Sequence, residues 1–427
     1  MELVLHIGCE KTGTSSIQRW LDHNAQALPQ HNVFYSKVLE RPNNRRLAVY
    51  GLENGRQDEL LLHANIKSAV DHDKFRERMR YELKQEVAIA RKRGITHFVI
   101  SNEHLQSRCT KDENVSALRD LLAPLFDRVR VLVFVRPQLD TCLSLASTQA
   151  RNGREVSRAW MERALRPEHP YYDMVSLLDR WARLFGKENI VPVPFRRCKD
   201  VITELETMLG LNGTDLPRIK IVNEALDYRV IALCNAMQLR GVENGELNNN
   251  RKFYIEDLPT EHKLTIDRSA GQALQKRFAA QNAELAREWP SLMPEDMEPD
   301  WSRYPEEGNI DRVLDLMACG PILRYVVERY NAELWWHQAR WAASQAARDG
   351  MLAKLDDGIR VAEFGLRAVA EAMRCEVYQE KGVRMTEKLE LRLDRLRSRK
   401  QRELAEQAQQ AEFEQIELKI ASMEAIL

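Results

Sequence analysis

The sequence predicts an α/β protein built on a parallel sheet and followed by a helical C-terminal extension. Three features carry that expectation. Four short apolar runs rich in β-branched residues, 3–7, 97–101, 129–135 and 189–195, are nearly continuous in hydrophobicity instead of alternating, which is the pattern of strands covered on both faces. Helical patterns lie between these runs. After about residue 200 the strand signals fade, and helical segments separated by polar loops such as GVENGELNNNRK (241–252) take over.

The elements follow in order. LVLHI (3–7) is the first strand, 14–27 the helix after it, and HNVFYS (31–36) a further short strand. Residues 56–93 read as one long charged amphipathic stretch ending at Gly94. HFVIS (97–101) and VRVLVFV (129–135) are the next strands, 138–151 is a helix, and NIVPVPF (189–195) is the last strand. Strands alternating with helices imply βαβ units with right-handed crossovers, which gather ligands at the carboxyl ends of the strands. The first domain is expected over 1–310, with a helical extension over 311–375. There Trp335, Trp336 and Trp341 read as a packing surface.

The tail, 376–427, is almost free of Gly and Pro and reads as a long amphipathic helix or coiled coil. Its apolar positions run Leu389, Leu393, Leu396, then Leu404, Ala408, Ala411, then Ile416, Ile420, Met423, Leu427. Steps are three and four within each group but eight and five between groups. That broken register fits packing against the same chain about as well as self-association.

Composition limits the partners. The 427 residues hold 64 basic and 64 acidic side chains with the signs mixed, so nothing in the charge favours general binding to nucleic acid or a membrane surface. Any anion site must therefore be local. The seven cysteines, Cys9, Cys109, Cys142, Cys198, Cys234, Cys319 and Cys375, are odd in number and contain no C-x-x-C. They suggest neither a disulfide framework nor a zinc ribbon, and a reducing, cytoplasmic setting is the simplest reading. MELVLHIGCEKTG does not read as a signal peptide, and nowhere does an apolar run approach the roughly 18 residues of a membrane span.

The first run opens directly into Gly8-Cys9-Glu10-Lys11-Thr12-Gly13-Thr14-Ser15-Ser16 and then into a helical pattern from Ile17. Strand, glycine-bearing loop and helix N-terminus make an anion cradle. The first N–H groups of the helix are unpaired, the helix dipole adds partial positive charge, and the hydroxyls of Thr12, Thr14, Ser15 and Ser16 add donors. Against the nucleoside triphosphatase pattern G-x-x-x-x-G-K-[ST], Gly8 and Gly13 keep their separation and Ser15 holds the hydroxyl position. Thr14 stands where the lysine belongs, and a lysine appears inside the loop as Lys11. The third strand ends in Arg136 instead of a metal-holding aspartate. The ligand thus reads as an anion clamped by protein cations without a metal; the competing reading is an ordinary βα turn with a Ser/Thr cap.

After Arg136 come Pro137-Gln138-Leu139-Asp140-Thr141-Cys142-Leu143-Ser144. Pro137 suits the first position of a helix, and Ser144 then lies about two turns along, close to the face of Arg136. A planar guanidinium fork and a hydroxyl suit a second phosphate.

Together the two segments resemble the sulfotransferases that use 3′-phosphoadenosine 5′-phosphosulfate. Lys11-Thr12-Gly13-Thr14-Ser15 is similar to that family's 5′-phosphosulfate loop, and Arg136 with Ser144 to its 3′-phosphate motif. The stretch Tyr172…Leu178…Trp181…Phe185-Gly186…Asn189-Ile190…Phe195 is similar to the segment leading into the next strand of bacterial members. The resemblance spans roughly residues 1–300 and implies a P-loop-like three-layer sandwich that transfers a sulfuryl group from this co-substrate with no metal required. Pro137 directly follows Arg136 where many members have one residue between. No clear Arg-Lys-Gly element appears late in the chain, and Arg251-Lys252 could take its place or form a solvated loop.

Such a transfer needs a cation at the leaving phosphate oxygen, in-line positioning and a base. Lys11 is the natural cation. The second run ends in Ser101-Asn102-Glu103-His104, at the strand end where βα enzymes keep catalysts. Glu103 is the preferred base and His104 the alternative, because several bacterial and carbohydrate-acting members use a carboxylate there whereas other branches use histidine. A helix-capping Glu103 beside a packed His104 is the structural alternative. His6 reads as a core residue, and His23, His63 and His72 as helix-surface residues. The acceptor implied is a hydroxyl of a carbohydrate or glycolipid. A nucleotide or small-molecule kinase would need a lysine before Ser15 and an acid near Arg136, and has neither; a non-catalytic scaffold with a helical tail is the other rival.

Overall fold

Side chains of the first strand are buried on both sides, and that sets the architecture. A computed structural model describes residues 1–219, 225–236, 242–243, 246–247, 258, 261–351, 354–375 and 378–424. Strands β1 (Glu2–His6), β2 (Val33–Tyr35), β3 (His97–Ser101), β4 (Arg128–Val135) and β5 (Ile190–Pro194) form a wholly parallel sheet in the order β2-β3-β1-β4-β5. Val4 pairs with Val99 on one side and Arg130 on the other.

Alternation distributes the strand residues to two cores. Leu3 and Leu5 join Phe98, Ile100, Val131 and Val133 on one face, under helices α2 (Ala69–Lys92) and α5 (Met174–Phe185). Val4, Val99, Leu132 and Phe134 lie on the other face, under α1 (Thr14–His23) and α6 (Val201–Leu209). The short helix α3 (His104–Arg108) follows β3, and α4 (Gln138–Arg151) follows β4. The expected three-layer α/β sandwich is therefore present, with a helical region C-terminal to it.

Two local expectations need correction. The 56–93 stretch is broken, with a short helix Glu59–His63 ahead of α2. Asn65 takes positive φ between them, and the Ser68 hydroxyl accepts from Asp71 N at 3.1 Å to cap the second helix. His72 is buried and not on the surface. Helix Arg46–Gly51 packs beside α2, and the His72 Nε2 sits 2.8 Å from the Val49 carbonyl oxygen.

The chain divides into two compact units, Met1–Arg251 with Thr260–Ala318, and Lys252–Pro259 with Cys319–Leu427. In the second, helices α7 (Gly320–Met351), α8 (Leu355–Ala372) and α9 (Gln379–Glu424) pack through small residues. Ala339, Ala343 and Ala368 meet Leu389, and Ala346 and Ala362 meet Leu393. The first apolar group of the tail is thus core, whereas Leu404 in the second is 54% exposed. Trp335 packs in this core and Trp336 lies 5.4 Å from the Tyr378 ring, while Trp341 is exposed. Among the described residues no helix is long and apolar enough to cross a membrane.

Candidate active site

The loop between β1 and α1 is stitched to β4. Ile7 N donates to Leu132 O at 3.0 Å, Cys9 N to Phe134 O at 3.1 Å, and Phe134 N to Gly8 O at 2.7 Å. Gly8 has φ +109°, and a Cβ there would come within 3.4 Å of the Glu103 Cα. Its lack of a side chain lets the end of β3 close onto the loop. Gly13, at φ +82°, caps α1, where a Cβ would press Val201 at 3.0 Å.

Inside the loop the buried Thr12 hydroxyl donates to Cys9 O at 2.6 Å. The backbone N–H groups of Lys11, Thr12, Gly13, Thr14 and Ser15 have no protein acceptor among the described residues. Buried or half-buried donors of this kind are almost always satisfied, so a row of them at a helix start is a place for an anion.

Lys11 reaches α4, where its Nζ donates to Thr148 Oγ1 at 3.1 Å. Burial lowers its pKa, with Arg151 and Arg136 acting in the same direction and Glu10 and Glu103 opposing. Arg136 extends from the end of β4 and donates from one Nη to Lys11 O at 2.7 Å, with its guanidinium 5.3 Å from the centre of the Phe195 ring. It therefore holds the loop, a contact the spacing did not reveal. Pro137 takes the cap position and α4 begins at Gln138; Ser144 lies half-buried on this helix. Arg136 and Ser144 share no hydrogen bond among the described residues.

At the end of β3, Asn102 N donates to His6 O at 2.9 Å, and Gln18 Nε2 of α1 donates to Glu103 Oε2 at 2.5 Å. His104 faces a different group. Its Nδ1 lies 3.7 Å from Glu10 Oε1, a charge contact longer than a hydrogen bond, and Tyr171 donates its hydroxyl to Glu10 Oε2 at 3.0 Å. Burial opposes charge on both members, yet Glu10 and Glu103 hold the His104 pKa above its ordinary value, and His104, Ser107 and Arg108 hold the Glu10 carboxyl below its own. His6 is buried, as expected, with Nδ1 2.8 Å from Ser101 Oγ. Burial takes its pKa down to about 3.

The loop thus collects Lys11, Arg136 and, across α1, Glu103. Gln18, Glu10, Tyr171 and Thr148 were missed by sequence reading. Thr148 carried a legible signal, since it stands four residues after Ser144 on the same helix. Tyr171 carried none. Arg251-Lys252 lie outside the described residues. No group of three or more His, Cys, Asp or Glu among the described residues is placed to hold a metal ion.

Residues 4–213 match the sulfotransferase family model, a span that runs from within β1 through the loop, β3, β4 and β5. These residues belong to the sulfotransferase family. The sulfotransferase span includes Lys11, Glu103, Arg136 and Ser144, so each sits inside the matched region. No curated relative matches the chain. Among solved structures, the crystal structure of a sulfotransferase from Alicyclobacillus acidocaldarius is similar at 15% identity, covering 55% of this chain and 91% of its own, with a TM-score of 0.31.

Proposed function

We propose that the sulfotransferase unit uses 3′-phosphoadenosine 5′-phosphosulfate as donor and a hydroxyl of a carbohydrate or glycolipid as acceptor. The observation that supports this reading best is the row of unpaired N–H groups from Lys11 to Ser15, bordered by the Lys11 ammonium and the Arg136 guanidinium. These groups are donors or cations and suit a multiply charged anion.

In this proposal the acceptor oxygen attacks the sulfur while the bond from sulfur to the 5′-phosphate oxygen breaks. Glu103 takes the acceptor's proton, and the products are a sulfate ester and adenosine 3′,5′-bisphosphate. Lys11 meets the charge that grows on the departing phosphate oxygen, where an oriented cation contributes most. Thr148 holds that ammonium in place, and Gln18 orients the Glu103 carboxylate. His104, engaged with Glu10, braces the loop and is the weaker candidate for base. Arg136 and Ser144 serve the 3′-phosphate. None of the seven cysteines is in a disulfide, which supports a cytoplasmic setting.

Calorimetry with adenosine 3′,5′-bisphosphate, with and without magnesium, tests the donor. Binding that is unaffected by chelator is the expected result. A need for magnesium, or tighter binding of ATP, would replace this reading with a kinase, and no nucleotide binding at all would favour the scaffold.

A further inference from the structure

The segment 40–44 crosses the end of β3 beside the candidate base. Asn102, the residue before Glu103, donates from Nδ2 to Asn43 O at 2.6 Å. Asn44 ties the other side, donating to Ser36 O at 3.0 Å and accepting from Ser101 N at 3.0 Å. Tyr35, at the end of β2, donates its hydroxyl to Pro42 O. The segment is therefore fixed next to Glu103.

Arg41 sits on this segment, half-buried, with its guanidinium 5.7 Å from the centre of the Tyr35 ring. Its Nε is buried without a hydrogen-bond partner, and no ion pair is formed by Arg41 among the described residues. Nearby arginines behave differently. Arg45 pairs with Glu40 at 3.1 Å, Arg46 with Glu82 at 2.9 Å, and Arg78 with Glu82 at 2.7 Å. Arg41 and Glu103 both act on the Tyr35 hydroxyl. Burial raises the Tyr35 pKa, Asp22 and Glu103 raise it further, and Arg41 pulls it the other way.

A half-buried guanidinium is costly unless something pairs with it, and the neighbouring carboxylates do not. Nε itself is enclosed by the protein, so the part open to a ligand is the Nη end, which forms no hydrogen bond among the described residues and whose fork suits a planar or tetrahedral oxyanion. We propose that Arg41 is an acceptor-binding residue, and that the acceptor carries a carboxylate or sulfate which Arg41 holds while the reacting hydroxyl faces Glu103. This rests on the sulfuryl-transfer reading of the site. It narrows the acceptor to an acidic molecule, and Arg41 also offsets the repulsion between such an acceptor and Glu103.

The test is calorimetry on the full chain saturated with adenosine 3′,5′-bisphosphate, using methyl β-D-glucuronide and methyl β-D-glucoside as probes that differ in charge at one carbon. The glucuronide is expected to bind about tenfold or more tightly than the glucoside, the size of one charge-assisted contact. Arg41→Ala should erase that preference, Arg41→Lys should keep part of it, and both variants should bind the bisphosphate as the parent does. Equal binding of the two glycosides, absence of glucuronide binding, or a preference that survives Arg41→Ala overturns the proposal. If the bisphosphate fails to bind, the donor reading fails instead, and the glycoside comparison without it still decides the role of Arg41.

Discussion

Arg136 reaches from the end of β4 to the carbonyl oxygen of Lys11 at 2.7 Å, so the arginine proposed for the 3′-phosphate also fixes the loop proposed for the 5′-phosphosulfate. The two ends of the donor would be read by parts that are mechanically joined. Loss of one should disturb the other.

Arg136→Ala should therefore weaken adenosine 3′,5′-bisphosphate binding by about 2–4 kcal/mol, since it removes a charge-assisted contact and releases the Lys11 carbonyl. Ser144→Ala, which breaks no hydrogen bond to the loop among the described residues, should cost about 1 kcal/mol. Calorimetry on both variants checks the order. Equal small effects would place the anion site elsewhere.

Lys11→Ala should separate binding from turnover. The ammonium is proposed to meet charge that develops only as the bond to sulfur breaks, so turnover should fall by about a hundredfold or more with a smaller change in bisphosphate affinity. Thr148→Val removes the hydroxyl that steadies the ammonium and should give a weaker version of the same split. Steady-state rates beside calorimetric affinities measure it.

The β-branched runs were legible because strands covered on both faces must be apolar at nearly every position, and β1, β3, β4 and β5 fall where those runs lie. Gly8, Lys11 and Gly13 were legible as a loop because glycines bracket a turn that leads into a helix. Interactions between distant segments were not. Nothing near Tyr171 in the sequence points to Glu10, 161 residues away, and His72 looked like a surface residue until Val49 closed over it. The break at Asn65 was hidden because polar residues continue on both sides of it, so charge pattern alone did not mark the end of a helix.

The Glu10 and His104 pair should show in a titration. The His104 pKa is raised in the folded protein, so its stabilising contribution is complete below the unfolded value and is lost as pH climbs through the folded one. Glu10 is lowered, so its contribution is present above the unfolded carboxyl value and is lost as pH falls through the folded one. Between these limits both are charged. Glu10→Gln should move the His104 NMR titration to lower pH and weaken the loss of stability on the alkaline side. An unmoved His104 titration would show that the 3.7 Å contact carries no charge coupling.

Shortening the tail should spare donor binding. A chain ending at residue 402 keeps Leu389, Leu393 and Leu396 in the second unit's core and removes exposed positions such as Leu404. Bisphosphate affinity should match the full chain. Removing everything from 376 would also strip Leu389 and Leu393 from Ala339, Ala346 and Ala362, and should destabilise that unit by several kcal/mol through lost apolar burial.

The assignment of the base has the sharpest test. Glu103→Gln keeps the shape of the side chain and can still meet Gln18, so donor affinity should stay while turnover falls about 10²–10⁴-fold, the usual contribution of a positioned general base. His104→Ala should do less, and in a different way: Glu10 loses its partner and the loop loosens, so bisphosphate binding should weaken along with the rate. A reversed order, with His104→Ala inactive at normal bisphosphate affinity and Glu103→Gln nearly unchanged, would make His104 the base and Glu103 a residue that orients Gln18. Slow donor hydrolysis can stand in for an acceptor in the Lys11 comparison, because the leaving group is the same. It is a poor substitute here, since water is less oriented than a bound hydroxyl and leans less on any base. The Glu103 comparison should therefore be run with whichever acidic glycoside shows Arg41-dependent binding, where the reacting hydroxyl is proposed to be held beside the carboxylate.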